Sequence, residues 1–183
     1  TATGKTVLWT MNGATKTASA YTSASAGTGW AVAGVADFTG EGKADILWRE
    51  TGTGKTVLWT MNGATKTASA YTSASAGTGW VVAGIADFTG DGKADILWRE
   101  TATGKTVVWT MNGATKTASA YTSASASTAW TVAQVSDFTG DSKADILWRE
   151  TATGKTVLWT MDGAAKTASA YTSASAGTGW TVQ

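Results

Sequence analysis

The sequence predicts an all-β fold, a β-propeller of four-stranded antiparallel blades on a 50-residue repeat, with an incomplete ring in one chain. Three observations carry this. First, the 183 residues hold three copies of a 50-residue unit, and a fourth runs from Thr151 to Gln183. Residues 1–50 and 51–100 differ only at Ala2/Gly52, Ala31/Val81, Val35/Ile85 and Glu41/Asp91, and the third copy departs from the second at nine positions. A period of this length marks solenoids, propellers or arrays. Second, each copy holds four short β-type segments, apolar first and polar last. Third, no segment places apolar residues at i, i+3, i+4 and i+7 over several turns, so a helical reading is poor. A β-solenoid is the rival, with coils that are usually shorter and less hairpin-like.

The unit is taken as residues 30–79. Trp30–Phe38 (WAVAGVADF) reads as the buried inner strand, and residues 37–45 (DFTGEGKAD) as a tight loop. Ile46–Glu50 (ILWRE) is the second strand and Lys55–Met61 (KTVLWTM), rich in β-branched and aromatic residues, the third. Asn62-Gly63 signals a hairpin, read as a type I′ turn with both residues at positive φ. Lys66–Ser73 (KTASAYTS) is a polar edge strand. The whole chain is one repeat domain: residues 1–29 supply the outer strand pair of a partial blade, 30–79, 80–129 and 130–179 are blades, and 180–183 start a further inner strand.

Composition excludes several functions. There is no His and no Cys, which removes His-based catalysis, thiol chemistry, disulfides and the usual zinc ligands. A net charge of +1 leaves no electrostatic footprint for nucleic acid or an anionic membrane, and no apolar run is long enough to span a bilayer. TATGKT lacks the spacing of a phosphate-binding loop. The expectation is a non-enzyme. The chain has no initiating Met and no visible signal peptide, which suggests a processed or excised product, expected outside the cell or at its surface.

The loop recurs as DFTGEGKAD (37–45), DFTGDGKAD (87–95) and DFTGDSKAD (137–145), and holds nine of the 13 acidic residues. Carboxylates stand at loop positions 1, 5 and 9, a Thr hydroxyl at 3, and a main-chain carbonyl is available at 7. Calcium takes six to eight oxygens, and clustered carboxylates repel one another unless neutralised. The expected ligands are Asp37, Thr39, Glu41, Lys43 and Asp45; Asp87, Thr89, Asp91, Lys93 and Asp95; and Asp137, Thr139, Asp141, Lys143 and Asp145. The bland reading is a solvated polar turn. The Asp87–Asp95 loop should bind best, because Glu41 has a longer arm and Ser142 replaces the glycine that suits a left-handed backbone.

The pattern around A-D-F-T-G-D-G-K-A-D-I-L-W, followed by G-K-T-V-L-W-T-M-N-G, resembles the FG-GAP repeat, also called the integrin-like or VCBS-type repeat. The resemblance covers nearly the whole chain. It implies a β-propeller, typically seven-bladed, with calcium in the loop between the first two strands. It also places the chain beside integrin-like propeller lectins, which bind sugars between blades. The sequence departs from the family pattern at Thr39, Thr89, Thr139, Glu41 and Ser142, which bears on affinity and not on the loop's identity.

Each full copy carries three Trp. Trp30 begins the inner strand, at the end away from the acidic loop, and Arg49 and Glu50 return to that end. A Trp beside an Arg/Glu pair suits a sugar, the ring stacking on C–H faces and the charges bonding hydroxyls. The expected glycan-binding residues are Trp30, Arg49 and Glu50; Trp80, Arg99 and Glu100; and Trp130, Arg149 and Glu150. In the third copy Gly77, Gly79 and Gly84 become Ser127, Ala129 and Gln134, which predicts a narrower pocket beside Trp130. The alternative is that these Trp fill the wedges between blades. The functional expectation is a multivalent carbohydrate-binding protein, against the alternative of a non-catalytic structural or adhesive protein-interaction scaffold, such as an engineered or truncated array. Partners are expected to be glycans and a second copy, since a lone partial ring leaves apolar faces and strand edges uncovered. A homodimer has enough strands for seven blades.

Overall fold

Strand after strand follows the repeat. A computed structural model describes residues 4–173 and 177–179. The expected strand start at 180–183 lies outside the described residues. β1 (Val7–Asn12) and β2 (Thr15–Tyr21) form a two-stranded sheet. Blade one is β3 (Trp30–Ala36), β4 (Asp45–Glu50), β5 (Thr56–Asn62) and β6 (Thr65–Tyr71). Blade two is β7 (Trp80–Ala86), β8 (Asp95–Glu100), β9 (Thr106–Asn112) and β10 (Thr115–Tyr121). Blade three is β11 (Trp130–Ser136), β12 (Asp145–Glu150), β13 (Thr156–Asp162) and β14 (Ala165–Tyr171). Each blade is an antiparallel sheet in simple chain order, and the described residues contain no helix. The inner strands β3, β7 and β11 lie side by side, while the outer strands β6, β10 and β14 are largely exposed. This is the propeller arrangement, and the ring is not closed among the described residues.

Close approach at the axis depends on glycine. A Cβ on Gly34 would stand 2.2 Å from Ile85 Cδ1, and one on Gly84 would stand 2.3 Å from Val135 Cγ2. Gln134, at the equivalent place in blade three, is exposed. It therefore alters the axis side of the blade and not the pocket beside Trp130, correcting that part of the sequence expectation.

The core sits between blades. Phe38, Leu47 and Leu58 of blade one are buried against Ile96, Trp98 and Met111 of blade two. Phe88, Leu97 and Val108 repeat this against Ile146, Trp148 and Met161. Buried indole pairs stiffen each sheet: Trp48–Trp59, Trp98–Trp109 and Trp148–Trp159 have centroids 5.0, 5.1 and 5.1 Å apart.

Two local expectations change. The inner strand stops at Ala36, because Asp37 captures loop N–H groups and ends the extended backbone. The hairpin turn is Gly63-Ala64, with Asn62 still paired to Thr65. Only the glycine has positive φ, at 57°, which is the glycine-first type II′ pattern and not type I′. The register also shifts between Val32 and Gly34 and between Thr60 and Met61. Such bulges increase the local twist.

Candidate functional site

The acidic loops are built around their first and last carboxylates. Asp37 Oδ1 accepts from the N–H groups of Thr39 (3.1 Å), Gly40 (2.7 Å) and Glu41 (3.3 Å), and Oδ2 from Gly42 (2.6 Å). Asp87 and Asp137 repeat the pattern. Burial pushes the Asp37 carboxyl up, but the N–H groups of Gly42, Gly40, Thr39 and Glu41 outweigh it and hold it below its ordinary value. At Asp137 the Gly140 N–H leads the same lowering.

Asp45, Asp95 and Asp145 are fully buried. Each joins its loop to the third strand of its own blade. Asp95 Oδ2 accepts from Phe88 N–H (3.1 Å) and Oδ1 from Met111 N–H (2.9 Å). Burial raises Asp45, and pushes Asp95 up to about 6 against those two hydrogen bonds. The position-5 acids lie outside. Glu41 pairs with Lys43 at 3.3 Å and Asp91 with Lys93 at 3.8 Å, exposed contacts of small worth. Lys143 turns to Asp162 instead, at 2.6 Å. The donor types thus suit calcium, but the carboxylates at positions 1 and 9 face N–H groups, and among the described residues no three acidic side chains converge on one point. Ser142 takes the left-handed backbone expected of it, with φ 69°.

At the opposite end, Trp30 pairs with Glu50 across β3 and β4. The Arg/Glu pair is engaged by the chain itself. Arg49 Nη2 donates to the carbonyls of Gly77 and Trp80, both at 2.6 Å, and its guanidinium lies 4.9 Å from the centre of the Trp98 ring. Arg99 does the same to Ser127 (2.8 Å) and Trp130 (2.7 Å), over Trp148, and Arg149 Nη2 donates to Gly177 O. Glu50, Glu100 and Glu150 accept from the hydroxyls of Thr53, Thr103 and Thr153. Each Arg therefore locks the entry of the next unit, a role hidden from local reading because the acceptors lie 28 and 31 residues away.

The structure gathers a different set around the half-buried tryptophans. In blade one a groove of about 360 Å³ is lined by Trp30, Trp48, Trp59 and Tyr71, with Lys66 and Ser69. Blade two repeats it at about 260 Å³ with Trp80, Trp98, Trp109 and Tyr121, Lys116 and Ser119. Trp30–Tyr71, Trp80–Tyr121 and Trp130–Tyr171 have ring centroids 6.2, 6.3 and 6.4 Å apart. Lys66, Lys116 and Lys166 lie 4.9, 4.8 and 5.0 Å from the centres of Trp59, Trp109 and Trp159. The indole N–H of Trp48, Trp98 and Trp148 is buried and meets no acceptor among the described residues. Buried donors are normally paired, so these three need an explanation. The tyrosines, lysines and serines come from the outer strand and were missed. Their one sequence signal is that K-T-A-S-A-Y puts Lys, Ser and Tyr on alternate or near-alternate positions of a strand otherwise made of small residues.

A family model described as FG-GAP-like repeat matches residues 37–98 and 87–148. No curated protein and no solved structure gives a significant match.

Proposed function

The chain belongs to the FG-GAP-like repeat family, and on that premise we propose that it is a multivalent, non-catalytic carbohydrate-binding scaffold, acting outside the cell or at its surface. The observation that carries the reading is the aromatic groove of blade one, repeated in register in blade two, with the same ring contacts present in blade three. Sugars bind through apolar C–H faces and a rim of hydroxyls. Open grooves with aromatic walls and a few polar groups on the rim match both. Trp30, Trp80 and Trp130 and their tyrosine partners offer ring faces to the sugar's C–H groups. Lys66, Lys116, Lys166 and the serines on the same strands bond hydroxyls. Arg49, Arg99, Arg149, Glu50, Glu100 and Glu150 act as positioning residues that fix the backbone behind each groove. Linked identical sites raise avidity by about 10²–10⁴ without new contacts.

A glycan array with the intact chain tests this. Binding is expected, and Tyr121→Ala, at a residue 63% exposed, should weaken one site by about 1–3 kcal/mol, the scale of a stacking contact, with an unchanged circular dichroism spectrum. A chain that binds no glycan is the scaffold alone, and the reading fails.

The acidic loops are proposed as calcium sites, on the oxygen-rich spacing of Asp87, Thr89, Asp91 and Asp95 and the Lys93 carbonyl, with the equivalent residues of the other two loops. Calcium bound only by the folded chain would raise its melting temperature. Added calcium should therefore stabilise and EDTA reverse the effect. An unchanged melting temperature together with no calorimetric binding would remove the proposal.

A further inference from the structure

Each internal junction joins two half-surfaces. The back of one blade offers Phe38, Leu47 and Leu58, or Phe88, Leu97 and Val108. The front of the next offers Trp109 and Met111, or Trp159 and Met161. The junction is sealed by main-chain bonds from the outer hairpin turn, Gly113 N–H to Phe38 O (2.8 Å) and Gly163 N–H to Phe88 O (2.9 Å). Beside it, Lys116 N–H donates to Ser73 Oγ and Lys166 N–H to Ser123 Oγ, at 2.8 and 2.7 Å.

Both half-surfaces recur uncovered. Phe138, on the back of blade three, is 45% exposed where Phe38 and Phe88 are at 0%, and among the described residues no N–H reaches its carbonyl. On the β1–β2 hairpin, Trp9 is 58% and Met11 48% exposed, where Trp109 and Met111 are at 6% and 1%. Gly13, with φ 56°, forms the same turn as Gly113 at 58°.

The third blade also shows which kind of surface fits it. Toward the axis, where Gly34 and Gly84 admit the inner strand of a following blade, it carries exposed Gln134 and Ser136. Toward the outer hairpin it keeps Phe138, Leu147 and Leu158. Its back is therefore polar where an inner strand would lie and apolar where an outer hairpin would lie. Among the described residues, the β1–β2 pair is an outer hairpin with no inner strand beside it in its sheet.

We propose that the β1–β2 hairpin of a second copy of this chain docks on the back of blade three, reproducing the internal junction between molecules. Trp9 and Met11 cover Phe138, the Gly13 N–H meets the Phe138 carbonyl, and the Lys16 N–H meets Ser173. The contact is heterologous, so it closes into a ring or runs on as a series. It is independent of sugar binding.

The test is the mass of residues 1–183 by light scattering, with Trp9→Lys and Phe138→Lys. The unaltered chain is expected at twice 18.7 kDa or more, and each variant at the single-chain mass. Both positions are exposed, so circular dichroism should not change; Met11→Lys serves as a second hairpin variant. Mixing the two variants is decisive. Trp9→Lys retains an intact blade-three face and Phe138→Lys an intact hairpin, so a one-to-one complex should form at high-micromolar concentration and grow no further. A single-chain mass for the unaltered protein, assembly that persists in both variants, or failure of the mixture to pair would each overturn the proposal.

Discussion

Residues 6–21 and 56–71 have the same sequence, TVLWTMNGATKTASAY. Both form a hairpin with a bulge after the third-strand Thr and a glycine-first turn. Their burial is opposite. Trp59 and Met61 are 5% and 2% exposed, and Trp9 and Met11 58% and 48%. The difference is the neighbourhood. β5 lies beside β4, where Trp48 packs its ring against Trp59 at 5.0 Å, while among the described residues β1 pairs with β2 alone. Alternation and turn chemistry therefore suffice to make the hairpin, but the adjoining strand turns it into core.

The comparison breaks most visibly at the paired tryptophans. Trp59→Ala should cost about 3–5 kcal/mol, as truncation of a large buried aromatic does. Trp9→Ala, in the same local sequence, should cost under about 1 kcal/mol at concentrations where the chain is monomeric. Urea titrations of the two variants check this, and equal losses would mean that the hairpin is covered within the chain. A smaller contrast separates the two ends of one acidic loop. Asp95→Ala leaves the Phe88 and Met111 N–H groups without acceptors inside the protein, at about 1–3 kcal/mol for each. Asp91→Ala removes an exposed side chain that holds only its own loop through Lys93, and should shift the midpoint by under about 1 kcal/mol. The smallest effect compares the loops. Ser142→Gly relieves a left-handed residue bearing a Cβ and should stabilise by up to about 1 kcal/mol, reduced by the greater freedom of glycine in the unfolded chain. The same melt on Gly92→Ser should move the other way.

The fold was legible because each copy states it again. Period, strand order, the exposed outer strand and the buried Trp48 and Trp59 positions follow from one 50-residue unit, but the inner strand that reads as buried is half-buried to exposed, and the burial falls on the second and third strands. Boundaries were less legible where a side chain competes with the ladder. Asp37 ends β3 by taking four N–H groups, and nothing in alternation records that. The groove was half legible. Trp30, Trp80 and Trp130 stand where expected, but their companions Tyr71, Tyr121 and Tyr171 come from strands that read as plain polar edges. Arg49 and Glu50 looked like a free charged pair because a sequence window ends before Gly77 and Trp80, whose carbonyls the guanidinium reaches.

Whether the aromatic set of each blade takes a sugar is decided by calorimetric titration of the saccharide that an array selects. Three equivalents per chain are expected, falling to two when Tyr121 is replaced by alanine. A single equivalent per chain, or full stoichiometry and affinity retained after Tyr71, Tyr121 and Tyr171 are all replaced by alanine, would contradict that expectation.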